Sequence, residues 1–562
     1  MKADITKIPF SVYGSYFKVE MQNDCFYIST VHGNFEDQRI FELILPECSY
    51  SVQPWLLTFM SGNSRLNICM KGSDELLIYG NMQDVELKHC GAGLFAFMQA
   101  LSSKHIHLVE SRYGYFVDLC AEVGSLNLNS KWKVEPVKKR LICSSASAYP
   151  VSDKGCYTIL LSFSFYEKIQ DNSSKSSPEK ITHEIKTHFE KWQNSFDYIS
   201  GKYANSYEQA VYLLWMSTVY PQGNYSYPAV LMSKNHMNSV WSWDNCFNAL
   251  ALCKHHPKLA FEQLQLIFDK QLPDGKLPDR VNDLVLRSIY TKPPIHGWCI
   301  MRMIEKGFVF SKDQMTYLCK KLSSVTQWWL TARDDNCNGI CQYNHGNESG
   351  WDNCTCFDNG VPVETPELTA YLLLQMKAIA KLYKLLGENG LCDEWKQRFV
   401  YLRNSFLSLC FINNKPVCFF DGKPINNNSL LPYMIVVLGD ELPYEIAKKS
   451  IRKLCSDYIN QMGIATESLH SLKYVTEQSY WRGAAWAPTT YLVADGLRSM
   501  GQAGLAEQIA RAYCNTICSL FGMWENYCIA TGNGCDDPAY TWTASVYILF
   551  VEEYPELFNN IK

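Results

Sequence analysis

The chain has 562 residues, 47% of them apolar and 19% charged, enough for two or three packed cores and too apolar for a disordered chain. A formal net charge of −4 excludes binding driven by phosphate contacts to nucleic acid, and no apolar run is long enough to predict a membrane span. The N-terminal stretch from Met1 to Phe10 lacks a secretory apolar region, and the 23 cysteines show no framework spacing. They read as reduced thiols in a cytoplasmic protein. Aromatics reach 14%, and most tryptophans fall in the later part of the chain.

From about residue 10 to 167 the apolar residues alternate. Runs such as Tyr16–Met21, Arg39–Leu45, Ser64–Met70, Ile106–Glu110 and Cys156–Phe165 are separated by Gly, Asn and Ser clusters. This predicts an antiparallel β-sandwich over residues 1–168, with no acid-base or nucleophile constellation in it. A Ser-rich polar stretch, Gln170–Glu179, reads as a linker. Ile181, Ile185, Phe189, Trp192 and Phe196 then mark an amphipathic lead-in helix, so residues 169–200 form the connection.

Residues 201–562 read as about a dozen helices of 12 to 22 residues, joined by unequal loops. No fixed repeat period is present, which speaks against a solenoid. Alternating helices with chemistry-rich loops predict an (α/α)6 barrel, with six inner helices ringing a funnel.

Those loops carry the chemistry. Trp241-Ser-Trp243-Asp244 opens a helix that continues through Phe247, and Asp244 alone would pass for a helix cap. Lys292-Pro-Pro-Ile-His296 begins another. The focal stretch is Asn347-Glu348-Ser-Gly-Trp351-Asp352-Asn353, where acids and an indole gather around a glycine. Tyr480-Trp481-Arg482-Gly483-Ala-Ala-Trp486 follows, in which the aromatics either stack on a sugar ring or define its outline. Arg482 either steadies a carboxylate or supports the loop. Finally, Trp524-Glu525-Asn-Tyr puts an acid between aromatics.

Asp352 and Glu525 form the candidate pair, because glycoside hydrolysis sets two carboxyls across one bond and burial tunes them apart. No phosphate loop, nucleophile elbow or dinucleotide fingerprint is present. Cys354-Thr-Cys356 lacks partners at zinc spacing, and Asp334–Gly339 reads as a plain turn rather than a cation loop. No metal or cofactor is expected.

Taken in order, these motifs resemble glycoside hydrolase family 63 and its bacterial relatives over roughly residues 185–555. The resemblance implies an inverting, exo-acting α-glycosidase with Asp352 as general acid and Glu525 as general base, roughly 6.5 to 9.5 Å apart. It implies a sugar pocket of Trp241, Asp244, Tyr480, Trp481, Gly483 and Trp486. Trp243, Phe247, Lys292, His296, Glu348, Trp351, Arg482 and Trp524 complete the candidate set. Lys292 departs from the family, whose members usually carry glutamine there. A lysine either pairs with an anionic aglycone or points away.

The expected activity is that of an α-glucosidase on a small oligosaccharide or glycoside, in a monomer or homo-oligomer with no nucleic-acid or membrane partner. The alternatives are glycosylglycerate hydrolase, trehalase or α-mannosidase specificity on the same site. From other classes come a sugar epimerase and a non-catalytic carbohydrate-binding protein.

Overall fold

The computed structural model describes residues 4–167 and 177–558, so most of the predicted linker lies outside the described residues. The chain divides into two compact units.

The first unit is built on two antiparallel sheets, six-stranded and eight-stranded, as the alternating pattern predicts. Leu66, Ile68 and Met70, at every second position of one strand, are all fully buried. Phe163 of the larger sheet packs edge-on against Phe17 of the smaller, so the two inner faces share one aromatic core. The helix Pro178–Gln193 belongs to this unit. Ser177 caps it by accepting from the Lys180 N–H, proline occupies its first turn, and Phe189 and Trp192 are its buried residues. Segments 215–222 and 234–238 are also part of this unit. Lys234 is fully buried there and donates to Ser11 Oγ, Val12 O and Ser15 O.

The second unit is a ring of helices. Its inner members are Asn245–Leu252, His296–Glu305, Pro366–Leu386, the 3-10 run Leu431–Glu441, Ala487–Ser499 and Thr541–Glu553. Each packs on the next, and the last closes onto the first. A helix outside the ring follows each of the first five. Burial separates the two layers. All eight residues of the 245–252 helix are buried, whereas Tyr444–Asp457 buries Ile446, Ser450 and Leu454 at every fourth position. Eleven of the helices agree with those read from the sequence to within a few residues. The Leu431–Glu441 run is absent from that reading. It is apolar nearly throughout and breaks at Gly439, whose φ is 60°, so it shows no helical stripe. Among the described residues, no helix is long and apolar enough to cross a membrane.

Candidate active site

The loops preceding the inner helices meet at one end of the ring. Asp352 follows a 3-10 turn that ends at Gly350, whose φ is 73°. A Cβ there would sit 2.6 Å from the Trp243 ring, so only glycine lets the loop lie against that indole. Tyr480 donates its phenol to Asp352 Oδ2 at 3.0 Å, from a backbone in the left-handed region. Asp352 Oδ1 is buried without a hydrogen bond and faces Lys292 Nζ at 3.9 Å. Lys292 also donates to Asn347 O at 2.7 Å and lies 3.4 Å from Asp279.

Asp244 is buried at the head of its helix and makes no side-chain cap bond. Burial pushes its carboxyl up to about 7, against the pull of Lys292 and with help from Asp279 and Asp352. Glu525 is 7% exposed. Burial, then Asp536, Asp537, Asp244 and Asp352, push it well above the usual carboxylate range. Asp244 therefore links the two groups, feeling Lys292, Asp279 and Asp352 on one side and acting on Glu525 on the other.

Indoles form the wall. Trp481 is sandwiched between Trp351 at 4.7 Å and Trp486 at 3.9 Å, all three essentially fully buried. Trp243 and Trp542 pack against this stack. Both faces of Trp481 are covered by other indoles and Trp486 is fully buried, so neither presents a free face for a ring to stack on. Trp481 Nε1 is buried and unpartnered, a donor left for another molecule.

Several candidates support loops instead of reaching the acids. Glu348 is bidentate to Arg333, at 2.6 and 3.2 Å, and accepts from the Asn344 N–H. Arg482 donates to Asn353 O and pairs with the Asp358 carboxylate, so it ties its loop to the Asp352 loop. Gly483 has φ 150°, and a Cβ there would press on Val475 O at 2.7 Å. His296 is buried and held neutral, its pKa lowered to about 4 by burial, and its Nε2–H donates to Ser242 O at 3.0 Å. Phe247 points into the ring core against Trp298 and Tyr491. Trp241 has the Arg280 guanidinium over its ring, and Trp524 donates to Phe521 O.

Sequence reading missed Asp279 beside Lys292 and the clamp made by Asn353. Asn353 accepts from the Trp481 N–H, donates to Ser479 O and so joins two loops. Asp279 was hidden in a Pro-Asp turn with no distinguishing signal. The Asp334–Gly339 loop is closed by its own bonds: Asp334 accepts from the Asn338 and Gly339 N–H groups, and Asn336 and Asn338 donate to Glu364.

The model of the mannosylglycerate hydrolase MGH1-like glycoside hydrolase domain matches residues 237–543, more than half of the chain. The chain belongs to this family. It is a glycoside hydrolase of the family 63 type, as its motifs imply. Its relatives include mannosylglycerate hydrolase MGH1 of Selaginella moellendorffii, 21% identical over 59% of this chain and 83% of the relative. The mannosylglycerate hydrolase of Thermus thermophilus is 23% identical over 55% and 93%. Among solved structures, a family 63 mannosylglycerate hydrolase from Thermus thermophilus in complex with glucose aligns with a TM-score of 0.53 at 19% identity, over 61% of this chain and 99% of that one. A bacterial glucoamylase complexed with acarbose aligns with a TM-score of 0.65 at 10% identity, over 99% and 94%. At these identities the structural likeness establishes the fold.

Proposed function

We propose that the chain is an inverting, exo-acting α-glycosidase for a small α-linked oligosaccharide or glycoside, with Asp352 as general acid and Glu525 as general base. The supporting observation is the convergence of Asp352, Glu525 and Asp244, whose charges act on one another although their loops lie far apart in the chain. The Asp352 carboxyl would protonate the leaving oxygen while Glu525 deprotonates a water on the opposite face of the ring. Asp244, Lys292, Tyr480 and the Trp481 N–H would hold the sugar hydroxyls.

A base must be ionised, and the setting of Glu525 favours its protonated form. The acidic limb of the kcat/KM profile should therefore lie above the ordinary carboxylate range, with activity falling as pH drops through the Glu525 value. If the two roles were exchanged, the same group would set the alkaline limb instead.

The preferred substrate is an α-glucoside. The acid excess around Lys292 supports a neutral glycosyl ring, since the lysine is already engaged by Asp279 and Asp352. A second reading, glycosylglycerate hydrolysis, is favoured by the relatives named mannosylglycerate hydrolase. The buried thiols support a reducing, cytoplasmic setting.

The test is sugar release from a panel of α-glucosides, α-mannosides, trehalose and both glycosylglycerates, with proton NMR of the first anomer formed. A β-anomer supports inversion and an α-anomer refutes it. Azide should restore turnover to E525Q by replacing the activated water. D352N should retain activity on an α-glycosyl fluoride, which leaves without a proton. The opposite pattern would exchange the two roles.

A further inference from the structure

Outside the helical unit, one cluster of ionisable groups has no part in this chemistry. His105 and His107 stand at alternate positions of the strand His105–Glu110 and so share one face of the eight-stranded sheet. On the neighbouring strand Tyr115–Val123, Asp118 lies directly opposite His107. His105 Nε2 and His107 Nδ1 converge on the same oxygen, Asp118 Oδ1, at 2.7 and 2.8 Å. One donor atom from each of the three residues falls within 4.8 Å of the others.

Among the described residues, Asp118 faces the two imidazoles as its ion-pair partners. Asp118 is 3% exposed, and its side-chain partners are the two imidazoles, with no lysine or arginine among them. A buried carboxylate in that position needs a compensating positive charge. Ser162, opposite Asp118 on the next strand, has a buried hydroxyl without a hydrogen-bond partner, and His107 Nε2 is likewise unpartnered. A cavity of about 330 Å³ reaches Asp118 and Ser162 past Lys71, Asp74 and Glu75, which gives an ion a way in.

We propose that His105, His107 and Asp118 bind one divalent transition-metal ion of the zinc type, tying two adjacent strands of the sheet together. Two imidazoles and one carboxylate suit zinc and its neighbours rather than calcium or magnesium, which prefer all-oxygen sets. Metal–ligand bonds of about 2.0–2.1 Å in a tetrahedral arrangement would open the donor separations to about 3.3 Å, a shift that side-chain rotation can supply. The fourth position faces the cavity, where Ser162 Oγ or a water would complete the set. In sequence the signal is His-x-His on a strand with an aspartate on the next one.

The full chain, stripped with a chelator, would be titrated with Co²⁺ and then with Zn²⁺ in competition with a chromophoric chelator. One equivalent is expected, with visible ligand-field bands and no thiolate charge-transfer band. The H105Q/H107Q variant should lose that equivalent while keeping its glycosidase turnover. No binding, equal binding in variant and parent, or a thiolate band pointing to the cysteines would each overturn the proposal. Should the double variant not fold, H105Q, at the partly exposed ligand, should weaken affinity by at least about tenfold, and an unchanged affinity would overturn it equally.

Discussion

The two ends of the helix ring handle charge in opposite ways. At the mouth, where the inner helices begin, Asp244, Asp279 and Asp352 gather about Lys292 with Glu525 coupled to Asp244 and Asp352, and oxygens of Asp244, Asp279 and Asp352 are buried without hydrogen bonds. At the base, where they end, two carboxylates meet three cations. Asp495 accepts from Trp298 Nε1 at 2.9 Å and pairs with Arg302 at 2.8 Å and Arg498 at 3.0 Å. Glu553 accepts from Tyr491 and pairs with Arg498 and Lys306. Helix dipoles favour anions at the first end and cations at the second, and both ends follow that rule. The base satisfies its charges and the mouth does not. One end is built to stay shut, and the other keeps polar capacity for a substrate.

That contrast can be broken by substitution. The largest effect should come at the mouth: D352N and E525Q are each expected to lower kcat by about 10²–10⁴-fold without loss of thermal stability, and E525Q should raise the thermal midpoint at neutral pH because burial and its acidic neighbours push the Glu525 pKa up. Steady-state kinetics beside calorimetry would check this, and a large loss of stability would contradict it. D495N should do the reverse, keeping kcat within a few-fold but costing about 1–3 kcal/mol, because the half-buried Arg302 and Arg498 would lose a counter-charge and Trp298 its charged acceptor. Denaturant unfolding measures that.

D244N should stabilise the protein by about 2–4 kcal/mol at pH 8 and abolish most activity. The sign follows from a folded pKa of about 7, above the ordinary aspartate value of 3.8. Such a group binds its proton more tightly when folded, so the parent loses stability as pH rises from about 4 to 7. The gain in the variant should fade toward pH 4. Glu553 has the opposite slope: burial pushes it up, but Lys306 and Arg498 outweigh this and hold it below its usual value. Its contribution is present above the unfolded pKa and is lost as pH falls through the folded one. Smaller again, K292Q should shift upward the pH range over which the parent loses stability, since the lysine holds Asp244 down. R482K, at a partly exposed pair with Asp358, should cost about 1 kcal/mol or less.

The mouth was more legible in sequence than the base. Trp243, Asp352 and Trp481 stand in loops, where a large indole or an acid has no simple folding reason to be, and their residue types give them away. Asp495 and Arg498 sit inside an ordinary helix, and nothing in the sequence says that Trp298 and Arg302 will face them. The barrel followed from outer helices such as Tyr444–Asp457, whose stripe is clear, while the Leu431–Glu441 run was hidden by being apolar on every side. Burial also decided what spacing could not. Spacing gave no hint that Glu348 would pair with Arg333 or Arg482 with Asp358.

The near-parallel indoles of Trp481 and Trp486 have an optical consequence. Rings 3.9 Å apart and 6° from parallel couple their electronic transitions strongly. The pair, with Trp351 stacked on the other face of Trp481, should give an exciton feature in circular dichroism that a W486F variant would diminish. Asn353 holds the backbone of Trp481 in place, so the feature would fade if the mouth loops came apart while the ring stayed folded. The protein thus carries its own spectroscopic gauge of whether the pocket is assembled, readable without a substrate.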